Sequence, residues 1–448
     1  MVPYTPKPAS FYKRYRIEPS KSSIEHRSEA ERDYDRILYC SEFRRLAGVT
    51  QVVGAHESHV FHNRLTHSLR VSQLSRRICE KIERANGELA AKLELDHNVA
   101  EAAGLAHDLG HPPFGHIAEE VLDNLLDDKC RVPDGFEGNA QSFRIVNKLA
   151  LREPSDSPDK QLNGLNLTAA TLDAILKYPW LRDHENLKKE HKFGAYREEG
   201  EQLLFARSGR TTDQRCPEAE IMDWADDVTY AVHDVEDFYR AGMIPLERLA
   251  SDKDDSERQR FFRSLDEMPP LKKMLPGGLT SAQIDAFTEA VKAFPCDEKY
   301  NGTTSQRALL RHFLSVQIGQ YVDAFDLEDK PKTYAKIDEK RRQQVDLLKL
   351  LSWNYVIYNP ALATQQEGER KIIRTLFEVL YDAGTDTSGK GLSVIPLSFR
   401  REIQSAKALG SSVARLVADL VSGLTERQAI AFYQRITGMA IGSVLEAL

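Results

Sequence analysis

The stretch Val99-Ala-Glu-Ala-Ala-Gly-Leu-Ala-His107-Asp-Leu-Gly-His-Pro-Pro-Phe-Gly-His116-Ile-Ala-Glu-Glu-Val-Leu-Asp-Asn-Leu125 reads as two helices joined by a turn that carries chemistry. Val99 to Leu109 is apolar enough for a central, buried helix, and it must stop at Gly110 because Pro112 and Pro113 cannot continue it. A second helix starts near Gly115 and steps through Ile117, Val121, Leu122 and Leu125. His107 and Asp108 therefore fall on the last turn of a buried helix. Neighbouring residues differ by about 100° around a helix, so both side chains reach one ion only from a helix end or an unwound turn, which Gly110 and Pro112 supply. Taken alone, the pair reads equally well as a satisfied core histidine at a capped helix end.

Two segments on either side change that balance. Upstream, Arg64-Leu-Thr-His67-Ser opens an amphipathic helix whose apolar face runs through Val71, Leu74, Ile78 and Ile82. Downstream, Met222-Asp-Trp-Ala-Asp226-Asp-Val-Thr-Tyr230 belongs to a helix on which Asp226, Tyr230 and Asp234 follow at intervals of four, forming a polar stripe. Ile221, Ala225, Val228, Val232 and Val235 line the opposite face. Asp227, at the edge of the stripe, competes with Asp226 as a ligand, and Asp226 is preferred. Two imidazoles and two carboxylates, His67, His107, Asp108 and Asp226, suit a divalent metal with positions left open for water and phosphate oxygens. This set implies phosphate-ester hydrolysis.

Helix periodicity dominates elsewhere, at Leu309 to Val322, Val345 to Tyr358, Ile372 to Leu380 and Val413 to Gly423, with hardly any strict alternation, so the expected fold class is all-α. A weak boundary divides 1–245, a metal-carrying core with an N-terminal extension, from 246–448, a helical C-terminal region; the short connections fit one continuous helical domain equally well. Polar stretches at 154–164 and 207–217 are expected as surface loops, and the charged run 251–260 as a solvated linker or helix surface. The 448 residues are 41% hydrophobic and 29% charged, enough to bury a globular core. Five scattered cysteines without a Cys-x-x-Cys pair indicate neither a disulfide framework nor a zinc-thiolate site. A net charge of −7 argues against sequence-wide attraction to nucleic acid or anionic membrane and requires any polyphosphate pocket to be locally positive. The absence of a long apolar run or a leader-like start makes the cytoplasm the expected location.

Ser41-Glu-Phe-Arg-Arg-Leu46, Thr50-Gln51-Val52, Arg64-Leu-Thr-His67-Ser, His107-Asp-Leu-Gly-His-Pro-Pro-Phe-Gly-His116, Lys192-Phe-Gly194 and Asp226-Asp-Val-Thr-Tyr230 together resemble the deoxynucleoside triphosphate triphosphohydrolases, the dGTPase-like branch of the HD-domain superfamily. The likeness is dense over residues 30–240 and looser in the tail, at Leu420-Val-Ser-Gly-Leu-Thr-Glu-Arg427. It implies an HD-type helical fold with additional C-terminal helices and cleavage of a dNTP into deoxynucleoside and inorganic triphosphate. By the same resemblance His67, His107, Asp108 and Asp226 are the metal ligands, His116 the catalytic histidine and Glu119 the acid that orients it. Gln51 falls at the deoxyribose, Arg64, His111 and Lys192 at the phosphates, and Tyr230 and Asp234 near sugar and phosphate. Manganese or magnesium is the foremost metal expected, with iron, nickel, cobalt or zinc open to the same donors. The family further implies a homo-oligomer, with a tetramer and a hexamer both open, and leaves room for an activating dNTP and for single-stranded nucleic acid as partners.

Two alternatives stand beside this reading: another HD-domain nucleotide phosphohydrolase, and a regulator that binds nucleotides or single strands over an inactive site. His116, Glu119, Tyr230 and Asp234 weigh against the first and the intact ligand set against the second. Among smaller signals, His56, His59 and His62 read as a polar loop rather than a second metal site, and Trp224 as core. Trp180, Trp224 and Trp353 are too dispersed for a stacking platform. Tyr196 is open between a ligand contact and a surface aromatic, and Arg400, Arg401, Arg415 and Arg427 are expected to be solvated.

Overall fold

The computed structural model describes residues 11–15, 25–51, 62–151, 164–208, 212–275, 277–409 and 412–440. Helices follow one another along nearly all of these, and the one sheet among them is an antiparallel hairpin pairing Phe325–Leu327 with Ala335–Ile337. The all-α expectation holds; strands of three residues are too short to leave an alternating pattern.

Three helices form the layer that carries the site. Arg64–Ala85 is capped by Asn63, whose side chain accepts from the Thr66 amide at 3.0 Å, and it turns Val71, Leu74, Ile78 and Ile82 into the core. His97–Ala106 is capped by Asp96 and buried along most of its length. Its small residues permit a close approach to the first helix: a Cβ on Gly104 would lie 2.5 Å from the Ser72 backbone, and Ser72 Oγ donates to the Glu101 carbonyl at 2.8 Å. Pro217–Thr229 begins with proline in its first turn, where a missing N–H costs nothing, and buries Ile221, Trp224, Ala225 and Val228. The central helix ends earlier than the apolar run suggests, at Ala106, so His107 to Gly110 form a turn just past it.

A second core lies against the helix His116–Asn124. Phe114, Val121 and Leu122 pack there with Ile373, Phe377, Val417, Leu420 and Phe432 from the helices Pro360–Thr385, Val413–Ser422 and Glu426–Ile436. Between this core and the central layer runs a buried ionic network. Arg144, only 1% exposed, binds Asp419 at 2.9 Å and Glu199 at 2.5 Å, and Gln141 donates to Asp419 at 2.9 Å. Buried charges persist when paired and hydrogen-bonded in this way.

Some expectations are corrected and others hold. The charged run 251–260 is not simply solvated: its second half opens the helix Ser256–Glu267, where buried Arg258 donates to the Leu249 carbonyl and Glu257 accepts from Tyr355. Tyr196 is neither a surface nor a cavity aromatic. It is fully buried beneath Arg415, whose guanidinium lies 3.8 Å from the ring centroid, and this cation–π pairing explains why Arg415 is 2% exposed rather than solvated. Trp224 is core, with its indole N–H on the Tyr321 carbonyl at 3.0 Å. The five cysteines are free. His56, His59, Val52 and most of the expected loop 154–164 lie outside the described residues. No helix among the described residues is long and apolar enough to cross a membrane.

Candidate active site

Three helices bring the His/Asp set together. His67 comes from the first turn of Arg64–Ala85, His107 and Asp108 from the turn after His97–Ala106, and Asp226 from the last turn of Pro217–Thr229. Donor atoms of His67, His107 and Asp108 lie within 4.8 Å of one another, all buried. Asp226 Oδ1 sits 3.0 Å from His67 Nε2 and 3.7 Å from His107 Nε2. The Nδ1 of His107 lies 2.8 Å from the Gly104 carbonyl, which places its proton there and leaves the Nε2 lone pair available. That Nε2 is buried without a hydrogen-bond partner. An orphaned ring nitrogen beside a second imidazole and two carboxylates is a donor set that fits a divalent cation.

The turn that presents the pair is clamped from behind. Ser142 Oγ donates to the His107 carbonyl at 2.9 Å and accepts from the Gly110 amide at 2.8 Å, while a Cβ on Gly110 would meet the Gly138 carbonyl at 2.2 Å. Burial alone would raise the Asp108 carboxyl, but His107, His111 and Arg64 outweigh it and hold the group well below the usual carboxylate range. Asp226 is likewise held low despite burial, chiefly by Lys177 and His67. The neighbouring Asp227 points to different partners, Arg342 and Lys349, each at 2.7 Å.

A chain of contacts leads outward from the His/Asp group. Asp108 Oδ1 is 3.0 Å from His111 Nδ1, His111 Nε2 is 3.3 Å from Glu119 Oε1, and Glu119 Oε2 is 2.9 Å from His116 Nδ1. The His116 side chain is 69% exposed while that of Glu119 is 10% exposed, so a buried carboxylate holds an accessible imidazole by one nitrogen. Burial would raise Glu119, but His116, His111 and Lys192 keep its carboxyl below the ordinary range. The turn before His116 is tight: Phe114 and Gly115 both have positive φ, 67° and 57°.

His107, Asp108 and Asp226 from the first group and His111 and His116 from the second border a cavity of about 440 Å³. Of the residues expected at substrate, Gln51, Arg64, His111, Lys192 and Tyr230 line it, whereas Asp234 does not. The Oε1 of Gln51 is buried and unpartnered, Arg64 donates to Asp108 at 2.8 Å, and Lys192 rests on Glu137 at 2.9 Å. Asp234 closes a π turn, Tyr230–Asp234, that interrupts the four-residue stripe. It is buried with Oδ2 unpartnered, and burial, then Asp237 and Asp226, raise its carboxyl well above the usual range. Other lining residues carry no sequence motif. Lys177 bridges Asp223 at 2.8 Å and Asp226 at 3.1 Å; burial would lower its pKa, but these two carboxylates raise it well above the usual lysine value. Tyr178 and Asn139 join it on the polar side, and Trp353, Ile357, Leu362 and Gln365 form a wall from the C-terminal region.

Family-level comparisons agree with the geometry. Residues 64–231 match the HD domain, and residues 335–435 match the phosphohydrolase-associated domain. A deoxyguanosinetriphosphate triphosphohydrolase-like protein of Streptomyces coelicolor is 35% identical over 98% of this chain and 99% of its own. One from Corynebacterium glutamicum is 32% identical over 90% of each chain, and a second-type protein of that name from Vibrio cholerae is 32% identical over 95% of this chain and 92% of its own.

Proposed function

Since this chain belongs to the HD-domain family of deoxyguanosinetriphosphate triphosphohydrolase-like proteins and is a phosphohydrolase, we propose that it cleaves deoxynucleoside triphosphates to deoxynucleoside and inorganic triphosphate. The observation that carries the proposal is the Glu119-held His116 beside the His67, His107, Asp108 and Asp226 group, on one cavity with both cationic and apolar walls.

His67, His107, Asp108 and Asp226 would hold a divalent metal, which when bound would polarise a phosphoryl oxygen and make water a better nucleophile. Arg64, Lys177 and Lys192 offset the charge of the polyphosphate. Gln51, with an unpartnered buried acceptor, takes a sugar hydroxyl, and Tyr230 lines the same cavity. The wall of Trp353, Ile357 and Leu362 gives the base a flat apolar surface. Water attacks the α-phosphorus in line with the 5′-oxygen, and His116 donates its Nε2 proton to that oxygen as the P–O bond breaks. Glu119 orients the ring and stabilises its charged form. We include in the proposal a homo-oligomeric assembly.

Incubating the purified protein with each dNTP and manganese or magnesium, beside Asp108→Ala, tests this by product chromatography. Deoxynucleoside with intact triphosphate, absent in the variant, is expected. Nucleoside monophosphate with pyrophosphate would assign the site to a different phosphohydrolase reaction.

A further inference from the structure

One side chain from the C-terminal helices ties together two loops of the cavity. Glu426, the first residue of Glu426–Ile436, is 4% exposed, and its Oε1 accepts from the Thr50 amide at 2.7 Å and from the Phe114 amide at 3.3 Å. Thr50 immediately precedes Gln51; Phe114 stands two residues before His116. A single carboxylate oxygen therefore bridges the backbone of the sugar-side loop and of the proton-donor loop. Phe114 adopts φ 67°, a left-handed conformation that a bulky L residue keeps only when its surroundings hold it. The bond from its amide to Glu426 is one such restraint.

The rest of the same corner is seated as closely. Arg45 donates to the Leu424 carbonyl at 3.1 Å and to the Leu109 and His111 carbonyls at 2.8 Å each, joining the corner to the turn that carries His107, Asp108 and His111. A Cβ on Gly48 would lie 2.9 Å from the Thr425 side chain, so a glycine lets the segment leading to Thr50 approach this closely. Glu426 is not among the cavity-lining residues and has no bond to a metal-ligand side chain; it acts on backbone.

We infer that Glu426 is a positioning residue, through which the C-terminal helices set the relative placement of Gln51 and His116. The inference rests on the reading of those two residues as sugar contact and proton donor. A carboxylate that only stabilised the fold would affect melting without altering sugar preference or the turnover step. A carboxylate that sets the loops affects both, because proton transfer and hydroxyl recognition each depend on distances of a few tenths of an ångström.

The test uses the full chain with Glu426→Ala, which removes the acceptor, and Glu426→Gln, which keeps one. Hydrogen exchange of peptides spanning Thr50 and Phe114 is expected to accelerate in Glu426→Ala and to return towards wild type in Glu426→Gln. With dNTPs, Glu426→Ala should retain its metal and lose on the order of 10²-fold in kcat/KM, mainly in kcat, with a reduced ratio of dNTP to NTP turnover. Glu426→Gln should recover most of both. If Glu426→Ala does not fold, Glu426→Asp, which withdraws the oxygen by one methylene, decides by the same readouts. Unchanged exchange at both loops, or faster exchange with kcat and sugar ratio intact, would overturn the inference. A wild type that releases no triphosphate would overturn the functional reading instead, and the exchange arm would still decide whether Glu426 restrains the loops.

Discussion

Replacing Gly110 by alanine adds one methyl group where the turn at residues 107–110 touches the helix Gly138–Arg144. The new Cβ would lie 2.2 Å from the Gly138 carbonyl and from the Ser142 amide nitrogen, against 3.4 Å for the start of ordinary contact, and neither neighbour is a flexible side-chain end. The two backbones must part by about 1 Å, which also strains the Ser142 bonds to Gly110 and His107. Overpacking of this kind costs about 1–3 kcal/mol of stability. The same displacement at His107 and Asp108 should cost on the order of 10²-fold in kcat/KM, equivalent to about 2.7 kcal/mol. Gly200→Ala is the matched control: nothing lies within 4 Å of its Cβ position and its φ is −59°, so activity should be unchanged. Steady-state phosphohydrolysis, metal content and thermal melting of both variants give the comparison. A folded Gly110→Ala with wild-type kcat/KM would refute the claim that this contact fixes the metal ligands.

His116→Ala should lose about 10²- to 10⁴-fold in kcat while keeping its metal, as expected on removal of a general acid, and near-normal turnover would exclude it as the donor. Asp419→Ala leaves buried Arg144 with Glu199 and Glu198 alone, so urea unfolding should show a loss of about 3 kcal/mol, and a loss below about 1 kcal/mol would mean the network contributes little. His97 Nδ1 lies 2.8 Å from Glu83, a bond that raises the imidazole above its ordinary 6.5 against the opposing effect of burial. Because the folded value exceeds the unfolded one, that stabilisation is complete below 6.5 and disappears as pH rises through the folded value. Glu83→Gln should therefore destabilise by about 0.5–1 kcal/mol near pH 5.5 and by nothing near pH 9, and an equal effect at both would reject the pairing.

The helical fold and the convergence of His67, His107, Asp108 and Asp226 were legible in sequence because each lies on a helix, or at a helix end, marked by apolar periodicity or by Gly110 and Pro112. Local signals of that kind do not report contacts between distant segments. Lys177 reaches Asp226 from a stretch with no motif, and Trp353, dismissed as too dispersed for a stacking platform, lines the cavity because folding brings 353–365 onto it. The π turn Tyr230–Asp234 changes helix register without a compositional mark, which is why an even stripe of Asp226, Tyr230 and Asp234 could be read from spacing alone. The burial of Tyr196, open between a ligand contact and a surface aromatic, and of Arg415, expected to be solvated, went unread because their mutual stacking joins positions far apart in the chain. Glu426 was visible only as part of a tail motif; that its carboxylate meets the backbone of Thr50 and Phe114 depends wholly on packing.

The most direct measurement is hydrolysis of a dNTP in ¹⁸O-labelled water, with both products weighed by mass spectrometry. Attack at the α-phosphorus predicts one ¹⁸O in the triphosphate and none in the deoxynucleoside. Label in the deoxynucleoside, or label in a nucleoside monophosphate or in pyrophosphate in place of triphosphate, would contradict the proposed reaction.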